Sequence, residues 1–260
     1  VAFARDRDGK EWVLRVPRRT DLVPKIRAEA RVLAFLRSEL SVAVPDWQVH
    51  TDALLAYPRL PGAPGLTLDP ATKAPIWHID PTSAAYAAEL GRFIAQLHAV
   101  DVDSARASGV PAQSPEEVRE TWRDQVERVA RELPVARGLL EDLRAWLADD
   151  TLWPDVTVVT HGELYPAHVL LGGDGTIRGV LDWTTAKVGD PAADFTFQHM
   201  MSGPSFDITV RAYREAGGSD LPRLVERCAA LVSAGPVVYG IYALDTGDPV
   251  HREAAIAQLN

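Results

Sequence analysis

The stretch T-H-G-E-L-Y-P-A-H-V-L-L, residues 160–171, holds a dense set of reactive side chains: His161, Glu163 and His168. A carboxylate in such a loop can take a proton from a hydroxyl, and an imidazole can hold the loop or bind a metal. Asp182 follows in I-R-G-V-L-D-W. The turn Gly173-Asp174-Gly175 folds A-H-V-L-L and I-R-G-V-L-D-W into a hairpin, which returns the chain from His168 to Asp182. That strand end is a place for a divalent cation. Magnesium takes few protein ligands and prefers oxygen, so Asp182 suits it well and His168, a softer nitrogen ligand, suits it less. Each residue alone has a plainer alternative, a hydrogen-bonded core histidine or a solvated loop acid. Four of them on one hairpin argue for chemistry, because a purely structural hairpin has no need of them.

Other reaction classes find little support. The chain has no H-E-x-x-H, no C-x-x-C and no G-x-S-x-G. G-G-D-G-T-I-R-G sits in a hairpin with glycine spacing unlike a dinucleotide fingerprint. The single cysteine, Cys228, rules out an internal disulfide framework, fits a reducing cytoplasm and reads as a small buried helix residue.

The elements that must position these groups follow from pattern. Val1–Ala4 and Trp12–Val16 flank Asp8-Gly9 and predict a hairpin. Ile26, Ala30, Leu33 and Leu36 recur at helical spacing. V-P-D-W-Q-V and A-L-L-A-Y-P-R-L read as short strands, and Pro61, Gly62, Pro64 and Gly65 as a linker. Helices are expected near 82–99, 114–132, 136–149, 205–217, 220–246 and 249–259, the second opened by a Ser114/Glu117 capping box. The expected fold is α+β: a small β-rich part over 1–60 and a larger, mainly helical part over 61–260.

Composition limits the partners. With 260 residues, 47% hydrophobic and 24% charged, the chain can build a core around a cleft. A net charge of -9 disfavours nonspecific nucleic-acid binding. No uninterrupted apolar run reaches the roughly 18 residues of a membrane span, and no leader is recognisable, so neither nucleic acid nor membrane is an expected partner. A cytoplasmic monomer is expected.

In this order, the motifs resemble those of the aminoglycoside and macrolide phosphotransferases, antibiotic kinases with a two-lobed protein-kinase-like fold. The resemblance covers nearly the whole chain. The family's catalytic loop H-G-D-x-x-x-x-N appears as H-G-E-L-Y-P-A-H, its metal aspartate as Asp182 in L-D-W, and its D-P-x-x-D as Asp190 and Asp194 in G-D-P-A-A-D. By resemblance, Glu163 is the catalytic base, Asp182 and His168 hold Mg2+, and Asp194 and His161 support the loop. Asp190 reads equally as a helix N-cap. Arg15 in W-V-L-R-V-P stands where the family's phosphate-gripping lysine does, Glu29 is its ion-pair partner, and Tyr57, Arg59 and Leu60 lie on the hinge that reads the purine.

The histidine in the asparagine position, V-P-R-R, V-P-D-W and Y-A-L-D-T-G are similar to the macrolide 2'-phosphotransferases. That group implies transfer of the γ-phosphate of GTP (or ATP) to the amino sugar of a macrolide such as erythromycin. A macrolide needs a broad apolar wall, for which F-T-F-Q-H-M-M-S-G-P and the segment around 231–244 are candidates, with His199, Met200, Met201, Tyr239 and Tyr242 named as substrate-binding. Alternatives are a kinase for an aminoglycoside or another alcohol, and a catalytically impaired binding protein. Two departures stand out: Glu163 in place of aspartate, and no glycine-rich nucleotide loop, which is expected upstream of Val1 in a longer, N-terminally extended protein.

Overall fold

The computed structural model describes residues 1–17 and 23–260. Arg18 and Arg19 of V-P-R-R and the first residues of the expected helix lie outside the described residues.

The chain opens with the expected hairpin. Strands β1 (Ala2–Arg5) and β2 (Glu11–Arg15) pair antiparallel with Ala2 opposite Leu14. Gly9 takes φ 83° in the turn, a left-handed value that glycine adopts at no steric cost. Helix α1 (Val23–Glu39) follows and buries Val32, Leu33 and Leu36. It also buries Glu29, while Ile26 and Ala30 are half-buried, so the inward stripe carries a carboxylate among its apolar residues.

Only the end of V-P-D-W-Q-V becomes a strand, β3 (Val49–His50). Pro45 has no N–H for a ladder, and Asp46 instead ion-pairs with Arg37. Just before it, Ala43 exchanges backbone bonds with Arg178 and Val180, tying this segment to the later β island. Strand β4 (Leu55–Pro58) lies between β2 and β3 and sets Tyr57 opposite Val13, giving the order β1-β2-β4-β3.

The expected linker is more than a tether. Its strand β5 (Ala63–Pro64) is followed by a hairpin that periodicity did not reveal, β6 (Leu66–Leu68) and β7 (Pro75–Trp77). Helices α2 (Ala84–His98), α3 (Val102–Ala107), α4 (Pro115–Glu132) and α5 (Arg137–Ala148) come next. Both halves of the Ser114/Glu117 capping box form. Four strands then build the β island: β8 (Val158–Thr160), β9 (Val169–Leu171), β10 (Ile177–Val180) and β11 (Lys187–Gly189).

The island is two sheets. β9 pairs with β10 and with β5, whereas β8 pairs with β11, a strand absent from the sequence reading. The reactive residues therefore gather where two strand pairs meet, and not on one hairpin.

The chain closes with α6 (Thr196–Met201), α7 (Phe206–Glu215), α8 (Leu224–Ser233), α9 (Gly235–Thr246) and α10 (Pro249–Leu259). The helix expected at 220–246 starts after Pro222 and breaks at Ala234, because Pro236 cannot continue the hydrogen-bond ladder. Together α8 and α9 span 23 residues and contain an 18-residue stretch with a mean hydropathy of 1.4, long and apolar enough to cross a membrane by those two measures alone. In this fold α8 buries Leu224, Arg227 and Cys228, and α9 buries Val237, Gly240 and Ala243. The main core runs from α1 and α2 through the β island to Trp183, Phe195 and Tyr213.

Candidate active site

Residues 161–163 are held from below by one buried carboxylate. Asp194 accepts the backbone N–H of His161 at 3.1 Å and of Gly162 at 2.7 Å. It also accepts His98 Nε2 at 3.0 Å, and the other ring nitrogen of His98 lies 3.2 Å from the Tyr213 hydroxyl. Both ring nitrogens of His98 are thus engaged, one by the carboxylate and one by the phenol. Asp194 is presented by a 3₁₀ turn, Pro191–Phe195. Asp190 caps that turn by accepting Ala192 N–H at 2.8 Å, as an N-cap should. Asp190 also pairs with the buried Arg227. Burial raises the pKa of Asp190, and the arginine opposes it.

The loop's own side chains complete the frame. Buried His161 donates from Nε2 to the Leu181 carbonyl at 2.9 Å and accepts the Glu163 N–H at Nδ1, 3.2 Å away. Desolvation pushes its pKa down to about 4, so it stays neutral and can act as donor and acceptor at once. His168 Nδ1 donates to the Glu163 carbonyl at 3.0 Å. The Glu163 backbone is thus pinned on both sides, and its half-buried carboxylate has a pKa raised by burial, with His168 opposing and Asp182 reinforcing the rise.

Asp182 follows β10 at φ 58°. That left-handed conformation is tolerated by aspartate better than by most residues. Its carboxylate accepts the Thr184 hydroxyl. Burial works to raise its pKa, but the Thr184 bonds, His168 and Arg15 outweigh it and hold the group ionised. His168 Nε2 lies 3.7 Å from Asp182 Oδ2, beyond hydrogen-bond reach. A cation suits such a gap, one nitrogen and one charged oxygen facing each other. Among the described residues no group of three or more His, Cys, Asp or Glu could hold a metal ion, so a closed protein cage is not on offer. A magnesium ion that keeps most of its shell for water and phosphate fits these two ligands.

Arg15 stands across from Asp182. Its Nη1 is 3.7 Å from Glu29 Oε1, and that oxygen makes no hydrogen bond. Desolvation raises the Glu29 pKa to about 7; Arg15 and the Trp183 amide lower it, and Asp182 adds to the rise. Tyr57 is buried behind this pair, its phenol pKa raised by desolvation and lowered by Arg15. Arg59 instead points outward to Glu11, 3.1 Å away, and its N–H is bonded to the Glu11 carbonyl. Leu60 is buried with its side chain beside Gly179, and with Arg59 it lines a separate cavity next to Pro61 and Gly62.

Two cavities adjoin the loop and share Thr185, Val238 and Ile241. One, of 710 Å³, includes Arg15, Glu29, Thr184 and Tyr242. The other, of 360 Å³, includes Gly162, Trp122, Lys187 and Asp190. Tyr242 thus borders a cavity, and Tyr239 stacks on it at 6.0 Å while its hydroxyl meets His251 Nδ1 at 2.9 Å. His199, Met200 and Met201 line neither cavity: α6 packs on α7, α8 and the 3₁₀ turn, His199 lies edge-on to Phe206, and Met200 faces solvent. Apolarity marked that helix, but not its direction. Sequence reasoning missed His98, Arg227 and Trp122, each far in the chain from the loop, and Lys187, which lies between Asp182 and Asp190 with no motif to mark it. Cys228 is buried with its thiol pushed up to about 12, an inert helix residue as expected.

A small strand-rich part over a helical part, with a braced loop at their junction, defines a kinase-like phosphotransferase fold. The chain belongs to the phosphotransferase enzyme family, whose profile matches residues 1–231. A macrolide 2'-phosphotransferase from Brachybacterium faecium, MphH, superposes with a TM-score of 0.91 at 50% identity, covering 99% of this chain and 87% of that one. A type I macrolide 2'-phosphotransferase gives 0.92 at 38% identity, over 99% and 86%. The uncharacterized protein YcbJ of Bacillus subtilis (strain 168) is 38% identical over all of this chain and 86% of its own length.

Proposed function

We propose that the protein is a macrolide kinase that transfers the γ-phosphate of GTP or ATP to the 2'-hydroxyl of the antibiotic's amino sugar. The observation that carries this reading is a loop whose Gly162, next to Glu163, lines one cavity, while Thr184, whose hydroxyl bonds Asp182, lines an adjoining one, the two sharing Val238 and Ile241 of α9. A polycationic substrate would call for several free carboxylates. A macrolide, a large apolar ring with one amine, calls for a wall such as Val238, Ile241 and Tyr242 provide. The macrolide kinases of similar sequence and fold support the same substrate class.

In this mechanism Glu163 orients the acceptor hydroxyl and takes its proton as the new O–P bond forms and the γ-phosphate leaves the nucleoside diphosphate. A carboxylate whose pKa burial has raised is a better base near neutrality than a solvated one. Arg15 neutralises phosphate charge and Glu29 limits where it can swing. His168 and Asp182 would hold magnesium, which would supply positive charge to offset that of the phosphates. Most of the rate comes from position and preset charge.

The test is to incubate the protein with magnesium, GTP or ATP, and erythromycin, and to follow nucleotide consumption and antibiotic mass. A gain of one phosphoryl group, lost in Asp182→Ala, is the expected result. Transfer to kanamycin or to a simple alcohol alone would replace the substrate class, and tight erythromycin binding without transfer would replace catalysis by binding.

A further inference from the structure

Lys187 is the ionisable group beside the loop that this mechanism leaves idle. It opens β11 opposite Thr160, the last residue before the loop. Its stem crosses Gly189, where an added Cβ would lie 3.2 Å from the lysine's Cε, so the missing side chain at 189 makes room for it. Lys187 and Asp190 are the only charged residues lining the 360 Å³ cavity. Asp190 is already committed to the Ala192 amide and to Arg227. No hydrogen bond engages the lysine ammonium among the described residues, and burial, opposed by the charge of Asp190, lowers its pKa. Lys187 is partly exposed where it lines the cavity, and no protein acceptor there takes its ammonium, which leaves that group free to meet an oxygen of a bound molecule.

We propose that Lys187 is a specificity-determining residue: it donates a hydrogen bond to a neutral oxygen of the substrate (hydroxyl, ether or carbonyl), and its charge keeps polycations out of the cavity. The inference rests on the macrolide reading. A macrolide ring offers such oxygens and a single amine, whereas an aminoglycoside would bring several ammonium groups against an unscreened one.

The experiment compares wild type, Lys187→Met and Lys187→Arg with erythromycin as substrate and kanamycin as competing polycation. Methionine matches the stem and removes a poorly solvated charge, so the Met variant should melt no lower than wild type. Its KM for erythromycin should rise about 10- to 100-fold, the loss of one charge-assisted hydrogen bond, with kcat within about threefold of wild type. Arginine should restore most of the KM, and inhibition by kanamycin should strengthen severalfold in the Met variant only. An unchanged KM in Lys187→Met, or a loss confined to kcat, overturns the inference while wild-type transfer to erythromycin keeps the macrolide reading in place. A wild type that phosphorylates only a different class of alcohol overturns that reading first and this inference with it.

Discussion

Asp194 and Glu29 are both buried carboxylates, one beneath the loop and one behind Arg15, and they are held in opposite ways. Asp194 is surrounded by donors: two backbone amides and His98, itself backed by Tyr213. Glu29 has an arginine at 3.7 Å and one oxygen with no hydrogen bond at all. Equal burial therefore gives a fixed support in one place and an adjustable one in the other. A buried charge is held by the donors around it, and burial alone only makes it costly. The loop that places Glu163 is tied down by several hydrogen bonds, while Arg15 is tied to Glu29 by a single long ion pair.

The contrast breaks most completely at Asp194. Asp194→Ala leaves two amides and His98 without their acceptor. It should destabilise the protein by about 3–5 kcal/mol in a denaturant titration, and any folded fraction should lose on the order of a hundredfold in transfer rate.

Glu29→Gln should act in the other direction above neutrality. The folded-state pKa of Glu29, about 7, is raised above its ordinary 4.5, so its stability contribution is complete below the ordinary value and lost as pH rises through 7. The variant, which does not titrate, should gain on wild type by roughly 3 kcal/mol across that window, read from unfolding midpoints at a series of pH values. A flat difference would mean that Arg15 holds Glu29 as tightly as the amides hold Asp194.

Tyr213→Phe sharpens the comparison at smaller scale. It removes one donor to His98, two steps from the loop, and should cost about 1 kcal/mol with little change in KM. Ser114→Ala, at a cap remote from both carboxylates, should also cost about 1 kcal/mol and leave transfer kinetics untouched. If Tyr213→Phe slows transfer while Ser114→Ala does not, the His98 relay positions the loop as well as stabilising it.

Local chemistry was legible in the sequence and distant pairing was not. Asp8-Gly9, the Ser114 box and the Asp190 cap each announce themselves over a few residues, because turns and caps are satisfied by near neighbours. The reactive residues of 161–182 were legible for the same reason. The pairing of β8 with β11 and of β5 with β9 depends on residues far apart in sequence, and so does the contact of His98 with Asp194. Arg227 carries no local signal, and its partner Asp190 lies 37 residues away in the chain. Pro236, by contrast, was readable as a break within 220–246, and the apolar run on either side masked it.

The strand β5 has a mechanical consequence. Gly62 runs so close to β9 that any Cβ there would sit 2.9 Å from the Leu171 carbonyl oxygen, and Ala63 and Pro64 then pair with Leu171 and Leu170. The link between the two parts of the molecule is therefore a lever with its far end sewn into the sheet that starts beside His168. Tilting the first sheet toward the second drags on β9. The jaw that would clasp the phosphates and the ligand that would meet their cation move on one linkage.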